Sequence, residues 1–297
     1  MRNLLSIESL NEAEIRAILA DSAVMKSTRG RHTSHPLKHQ CWALIFSKSS
    51  TRTRVSFETG IRELGGDVMF LAAGDIQLGR GEPIRDTARV MGRMLHGAVI
   101  RTFAQDDVAE FAEFSGIPTV NALTDEEHPC QILADLFTIT ELRGTLDDLT
   151  VTFIGDGDCN VARSWIWAAA RLGFHLRIAA PPAFQPPPDL LARAGGRITV
   201  GTDLQAAAAC SDVLYTDVWV SMGKEEESAS RIQTLQGYQI NDALCATAPG
   251  ALVMHCLPAY RGKEITEDTF EAHAATIFQQ AENRLHTQKA ILARLTT

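Results

Sequence analysis

Hydrophobic positions along this chain alternate between two periods. Short runs in which every residue is apolar, such as Cys41-Trp42-Ala43-Leu44-Ile45-Phe46 and Ala251-Leu252-Val253-Met254, have the length of strands covered on both faces. Elsewhere apolar residues recur at three- and four-residue steps: Ile7, Leu10, Ile15, Ile18 and Leu19 predict one or two helices over about 7–25, with Asn11 and Glu14 as the start signal. The run at 41–46 leads through the polar turn at 47–51 into a helical pattern, Val55, Phe57, Ile61 and Leu64, that stops at Gly65-Gly66. A second strand–turn–helix unit covers 150–173, and further strands are predicted at 68–71, 98–102, 176–180, 212–216 and 251–255. Residues 131–143 read as a helix ending before Gly144, and the Pro-rich stretch 180–189 as a rigid surface loop.

Strands alternating with helices predict an α/β protein, here two doubly wound parallel-sheet domains. The boundary is placed within the helix at 131–143, giving domains 1–135 and 136–282, with a C-terminal helix at about 283–297 packing back on the first. A length of 297 residues accommodates this arrangement.

Charge narrows the function. With 28 Lys+Arg against 36 Asp+Glu the formal net charge is −8, and no basic block interrupts the sequence, so neither nucleic acid nor an anionic membrane is an expected partner. An anionic ligand must then be met by local charge. No apolar run approaches the roughly 18 residues that cross a bilayer. Glu8, Glu12 and Glu14 stand where an export signal needs continuous apolar residues. Six cysteines form no CxxC pair, which predicts reduced thiols and a cytoplasmic location.

Three polar clusters sit where strands turn into helices. Ser47-Lys48-Ser49-Ser50-Thr51-Arg52-Thr53-Arg54 offers backbone N–H groups, hydroxyls and guanidinium groups to an anion, although it lacks the glycines of a Walker loop. Local sequence serves a solvated, Ser-capped helix start equally well, and Arg54 with Glu58 one turn on reads as a structural pair. His128-Pro129-Cys130-Gln131 precedes a helix, where a lone histidine is more often a cap than a catalytic group. His255-Cys256-Leu257-Pro258 ends an apolar run, at the strand end that faces ligand in parallel sheets, with a buried small hydrophobe as the alternative role for its cysteine.

Taken together and in order, SxxSTRTR at 47–54, HPCQ at 128–131, DVWVSMG at 217–223 and HCLP at 255–258 resemble the signatures of the carbamoyltransferases, and DxxxSMG with HCLP is similar to members that take ornithine. The match covers nearly the whole chain, with support from residues 75–90, Ile100-Arg101-Thr102 and residues 281–292. The resemblance implies two parallel α/β domains with the site between them and assembly as a homotrimer, further association being undecided. It implies carbamoyl phosphate and L-ornithine as substrates, transfer without a covalent enzyme intermediate, and no cofactor or metal.

By position it implies that Ser50, Thr51, Arg52 and Thr53 hold the phosphate, that Arg101 and His128 join Thr53 at the carbonyl oxygen, and that Gln131, Cys256 and Leu257 meet the amide. Pro129 and Cys130 belong to the same stretch, Arg284 closes on the anion, and Gln77 is lent by a neighbouring subunit. Arg52, Arg101, His128 and Cys256 are the catalytic set, and Asn160, Asp217, Ser221 and Met222 the ornithine set. Gly223 and the run Lys224-Glu225-Glu226-Glu227-Ser228 read as a mobile loop. Two departures stand out: Cys159 occupies a place where the family often has Asn, and Tyr260 one where it often has His.

Rival chemistries fit less well. Gly155-Asp156-Gly157 opens a helix after a strand, as in dinucleotide-binding proteins, but Asn160 holds the third glycine position and the next strand ends in Pro181-Pro182 without a ribose-binding acid. His32, His35 and His39 have the spacing of helical metal ligands, but Pro36 breaks that helix, so they read as surface histidines of a basic loop. Within the transferases, putrescine or a modified ornithine is the alternative acceptor.

Overall fold

The computed structural model describes residues 1–72, 81–220 and 225–296. It forms two compact units, Met1–Phe137 with Asn283–Thr297, and Thr138–Glu282. Each is a parallel sheet flanked by helices, so the protein is α/β and wound twice.

In the first unit the strands are β1 (Cys41–Phe46), β2 (Asp67–Ala72), β3 (Gly97–Arg101) and β4 (Thr119–Leu123), in the spatial order β2-β1-β3-β4. The chain steps from β1 outward to β2 and then returns to the other side of β1. The strand order therefore reverses between β1 and β3, the place where open parallel sheets bind ligands. Register puts Phe46 opposite Arg101, and the Ser47 N–H donates to the Arg101 carbonyl at 2.7 Å. The helices α1 (Glu12–Ser27), α2 (Thr51–Glu63), α3 (Ile84–Met91) and α4 (Gln105–Ser115) accompany these strands, and α5 (Pro129–Arg143) leads onward.

α1 begins at a reciprocal cap: Asn11 Oδ1 accepts the Glu14 N–H at 2.9 Å, and Glu14 Oε2 accepts the Asn11 N–H at 3.0 Å. Residues 7–10 are a turn outside it, closed by Leu10 N–H to Ile7 O at 3.1 Å. β4 is absent from the sequence expectation because Thr-Val-Asn-Ala-Leu is polar at two positions. Those residues are nonetheless buried, with the Thr119 hydroxyl donating to Ile117 O at 3.1 Å and Asn121 Nδ2 to Leu5 O at 2.9 Å.

The second unit holds β5 (Thr150–Ile154), β6 (His175–Ala179), β7 (Ile198–Gly201), β8 (Val213–Thr216) and β9 (Leu252–His255), in the order β7-β6-β5-β8-β9. Its reversal lies between β5 and β8. The described helices here include α6 (Asn160–Leu172), α7 (Pro188–Ala194), α8 (Leu204–Ala208), α9 (Ser228–Leu235), α10 (Asp242–Cys245) and α11 (Glu267–Ala272). The Pro-rich stretch is not a plain loop. It contains a 3₁₀ turn at Pro182–Phe184 and ends in α7, whose first position is Pro188, where a missing N–H costs nothing. Trp165 centres the aromatic core, with ring centroids 5.4 Å from Tyr215 and 5.9 Å from Phe174.

The long helix α12 (Ala274–Leu295) carries Lys289 into the first unit, where its fully buried ammonium donates to Glu63 Oε2 at 2.6 Å and to His32 Nε2 at 2.7 Å. His32 Nδ1 lies 3.1 Å from Thr28 Oγ1, which itself donates to Val24 O at 2.7 Å. This bonding leaves the imidazole neutral, with its proton on Nδ1. Burial, then the Lys289 charge, hold His32 below its ordinary value. His32 is thus not the surface histidine its loop implies: it serves a buried ammonium.

Gly97 opens β3 against the face of Trp42, where a Cβ would stand 2.5 Å from ring atoms of a fully buried indole. Gly97→Ala is therefore expected to lower stability by about 1–3 kcal/mol through overpacking. Urea unfolding with an unchanged midpoint would contradict this account of the β1–β3 contact.

Candidate active site

Both sheets place their polar clusters beyond the carboxyl ends of the strands that flank the reversal or of the strand next to them. In the first unit, α2 starts at Ser50, whose Oγ accepts the Thr53 N–H at 3.3 Å and donates to Thr53 Oγ1 at 2.9 Å. Thr53 is fully buried and also accepts from Arg284 Nη2 at 2.6 Å, so α12 reaches the α2 start. Thr51 and Arg52 lie in that first turn, where helix N–H groups favour an anion. The Nε of Arg52 is buried and makes no hydrogen bond among the described residues. Arg54 points elsewhere: it pairs with Glu58 at 2.6 Å and stacks 3.8 Å from the Phe70 ring centroid, the structural role read from its spacing.

Arg101 ends β3 and is buried, and His128 immediately precedes α5, its carbonyl accepting the Gln131 N–H at 3.0 Å. His128 is held well below its ordinary value, first by burial and then by the positive charges of Arg284, Arg101 and Arg52. A neutral imidazole thus stands among three guanidinium groups. Pro129 occupies the first position of α5. Cys130 is a core thiol, pushed up to about 12 by burial, with Sγ 3.4 Å from Asn121 O. Gln131 is buried, its Nε2 donates to Asp135 Oδ1 at 2.8 Å, and its Oε1 makes no hydrogen bond among the described residues.

In the second unit, β5 runs into Gly155, whose φ of +120° suits glycine, and then into the turn Asp156-Gly157-Asp158 before α6. Cys159 caps α6, its Sγ accepting the Ala162 N–H at 3.5 Å, and Asn160 is the first helical residue. Burial, then Asp156 and Asp217, raise the Cys159 thiol well above its ordinary value. Asp217 follows β8, with Oδ1 accepting the Val218 N–H at 2.7 Å and the Cys256 thiol at 2.9 Å. Burial raises its pKa, partly countered by His255 and these two bonds.

Cys256 and Leu257 follow β9. The Leu257 N–H donates to His255 Nδ1 at 2.9 Å, which leaves the ring proton on Nε2, facing the buried Glu264 Oε1 at 3.1 Å. Ligand atoms of Asp217, His255 and Cys256 lie within 4.8 Å of one another, a spacing that could hold a metal. Both ring nitrogens of His255 and the Cys256 thiol are already used in the hydrogen bonds just described, so this donor set is spent on positioning.

Gln77, Ser221 and Met222, read as a lent contact and as part of the acceptor set, lie outside the described residues. The run read as a mobile loop after Gly223 is helical from Glu225 onward, a 3₁₀ turn at Glu225–Glu227 leading into α9. Sequence reasoning missed the buried Glu264, which sits in a charged run resembling surface, and the buried pair of Asp156 with Arg231. Arg231 also donates through Nε to Trp219 O at 2.9 Å and fixes the chain two residues past Asp217. Tyr260 is half-exposed, and its N–H donates to Glu264 Oε1 at 2.6 Å.

The first unit thus presents a cationic, hydroxyl-lined strand end suited to an anionic group, and the second a half-buried acid at the carboxyl edge of its own sheet, suited to a cationic one. The carbamoyl-P binding domain of aspartate/ornithine carbamoyltransferase matches residues 2–141, and the Asp/Orn binding domain of the same family matches residues 147–295. The chain belongs to the aspartate/ornithine carbamoyltransferase family. It is 58% identical to an ornithine carbamoyltransferase of Akkermansia muciniphila over 99% of this chain and 98% of that one, and 47% identical to one of Methanoculleus marisnigri over 99% and 96%. Among solved structures it resembles the anabolic ornithine carbamoyltransferase of Campylobacter jejuni with a TM-score of 0.93 at 39% identity, each chain 99% covered. That of Pyrococcus furiosus gives 0.91 at 40% identity over 98% and 96%. Among the described residues no helix is long and apolar enough to cross a membrane.

The His128 environment has a consequence for acid stability. The unfolded chain takes up this proton near pH 6.5 and the folded chain only at lower pH, so stability is complete above about 6.5 and falls as the pH drops toward the folded value. His128→Gln is expected to flatten part of that slope in urea midpoints measured against pH. Identical slopes for the two proteins would show that His128 takes up its proton normally.

Proposed function

We propose that this chain transfers the carbamoyl group of carbamoyl phosphate to the δ-amine of L-ornithine, giving L-citrulline and phosphate. The observation that carries the reading is the neutral His128 among Arg52, Arg101 and Arg284, beside the hydroxyls of Ser50 and Thr53. A dianion entering there meets charge-assisted donors and the first turn of α2. As the amine attacks the carbonyl carbon, negative charge gathers on the carbonyl oxygen. Arg101, His128 and Thr53 supply donors for that oxygen, and the guanidinium groups with Ser50 and Thr51 hold the departing phosphate. Gln131 Oε1, buried and unbonded among the described residues, suits the carbamoyl NH₂. The substrate arrives activated, so alignment and charge stabilisation are the work required.

For the acceptor, Asp217 pairs with the α-ammonium and Asn160 with the α-carboxylate, with Ser221 and Met222 beside them. Cys256 and Leu257 complete the carbamoyl contacts. The δ-amine has a pKa near that of Lys, about 10.4, so only its minor neutral form can attack. We further propose a cytoplasmic homotrimer working in arginine biosynthesis, with Gln77 lent to a neighbouring subunit. The family resemblance supports these finer statements.

A colorimetric carbamoylation assay offering ornithine, putrescine, N-acetylornithine and aspartate separately tests the reading. Ornithine is expected to be used well, putrescine poorly for want of an α-carboxylate, and kcat/KM for ornithine to rise between about pH 7 and about pH 9 as the amine loses its proton. Equal use of putrescine, or a flat profile, overturns the acceptor assignment. Arg52→Ala is expected to lower kcat by about 10²–10³ and to weaken carbamoyl phosphate binding measured by calorimetry. Asp217→Asn is expected to raise the KM for ornithine while leaving that binding intact.

A further inference from the structure

His128 belongs to the site, but nothing in its own side chain explains how the main chain that carries it is fixed. Its segment, Thr124–His128, is an irregular turn between β4 and α5, and such turns hold a side chain only as well as their own bonds allow. Here the inner bonds are local: the Thr124 N–H donates to Glu127 O at 2.9 Å, and the Glu127 N–H donates to Thr124 Oγ1 at 3.1 Å. The outer bonds come from the far end of the sequence. Glu127 is 4% exposed, and its Oε2 accepts the N–H of Ile7 at 2.7 Å, across 120 residues.

Around that contact the N-terminal segment is clamped to β4 and, through Gln105, to the same turn. Leu4 bridges Val120 in parallel, with its N–H donating to Thr119 O at 2.9 Å and its carbonyl accepting the Asn121 N–H at 2.7 Å. The Leu5 carbonyl accepts from Asn121 Nδ2 at 2.9 Å and from Gln105 Nε2 at 3.0 Å. Gln105 Oε1 in turn accepts from Thr124 Oγ1 at 2.6 Å, which closes the circuit onto the turn. Leu4 and Ile7 are fully buried, so burial holds the segment in place independently of the polar bonds.

Burying a carboxylate is costly, and a polar residue at 127 with no partner would be costlier still. A carboxylate gives the shorter, stronger bond to a backbone N–H, which suits a joint that must not give. We infer that Glu127, bonded to the main chain of Ile7, is a positioning residue that sets the place of His128, and that the main chain at Ile7 is thereby the anchor of that histidine. The role assigned to His128 rests on the carbamoyl-transfer reading; the geometric dependence of His128 on Glu127 does not.

The test compares the full chain with Glu127→Ala, Glu127→Gln, Glu127→Asp and Asn3→Ala. Gln keeps an acceptor at the same reach. Asp falls one methylene short and serves if Ala does not fold. Asn3→Ala removes the bond from Asn3 Oδ1 to the Thr119 N–H at 2.9 Å, loosening the same segment without touching the turn. The first readout is the His128 imidazole nitrogen resonances through a pH titration. The charged groups facing that ring are Arg52 from α2, Arg101 from β3 and Arg284 from α12. Glu127→Ala or Glu127→Asp is expected to shift these resonances and to move the midpoint up toward the solvent value. Gln and Asn3→Ala are expected to leave both unchanged.

The second readout is citrulline formation. Glu127→Ala is expected to lower kcat at least about tenfold with the KM for ornithine held within about twofold, and Gln to restore it. An unchanged His128 titration in both Ala and Asp variants, or an Asn3→Ala variant that loses kcat in step with its melting temperature, overturns the inference. A wild-type chain that makes no citrulline overturns the carbamoyl-transfer reading instead, and the resonances still decide the dependence on Glu127.

Discussion

The constraint from which the rest of this structure follows is electrostatic: an acidic chain, net charge −8, must assemble a small region positive enough to hold a dianion. Three guanidinium groups in one place repel one another and any further positive charge. The histidine among them responds by staying neutral, and its desolvated position reinforces that choice. Such a cluster is unfavourable for folding in itself and is tolerated where surrounding structure holds it, as stored strain generally is. The fixing groups can be named: Thr53 Oγ1 receives both Ser50 and Arg284, Ser47 N–H grips the Arg101 carbonyl, and Gln131 is tethered to Asp135.

The parallel sheet is what makes such a cluster affordable in chain length. Because the strand order reverses between β1 and β3, the loops leaving these neighbouring strands diverge to opposite sides, and the residues at their ends border the same gap. Ser47–Thr53 and Arg101 are close for that reason, although about 50 residues separate them in sequence. The second unit repeats the device between β5 and β8 with the opposite chemistry. There the turn at Asp156–Asn160 and the strand exit at Asp217 border its reversal, and the buried groups are acids and thiols.

How far the sequence revealed this depends on the kind of order involved. Strands β1 and β9 were legible because burial on both faces demands continuous apolar runs, and the Asn11–Glu14 cap because its two bonds are local. β4 was not, because its buried Asn121 finds a partner for its amide NH₂ in Leu5 O, more than a hundred residues away. The same holds at the site. Arg52, His128 and Asp217 stand in recognisable strings, whereas Glu127, Glu264 and Arg231 sit in charged stretches that look like solvated surface. Only tertiary structure turns Glu264 into the partner of His255, or Arg231 into the clamp on Trp219 O. His32 failed in the converse direction: its loop looks exposed, and only α12, supplied by the other end of the chain, encloses it.

The buried His128 and the half-buried Asp217 show why one residue type could not serve both halves. Burial lowers the pKa of a base and raises that of an acid, so in each case it favours the neutral form. For His128 neighbouring cations push the same way, and neutrality suits a group that must leave the anion's positive surroundings undiluted yet still offer a hydrogen bond. For Asp217 the neighbours oppose burial: the Val218 N–H and Cys256 thiol donate to its Oδ1, and His255 lies near. Those bonds stabilise the carboxylate before any cation arrives. A ligand ammonium would strengthen that preference, since an opposite charge close by favours ionisation. On the proposed reading, Asp217 becomes a better anion as the acceptor binds, while His128 needs no change of protonation to receive the donor. On that reading, the half that selects by charge is also the half whose charge state its own ligand reinforces.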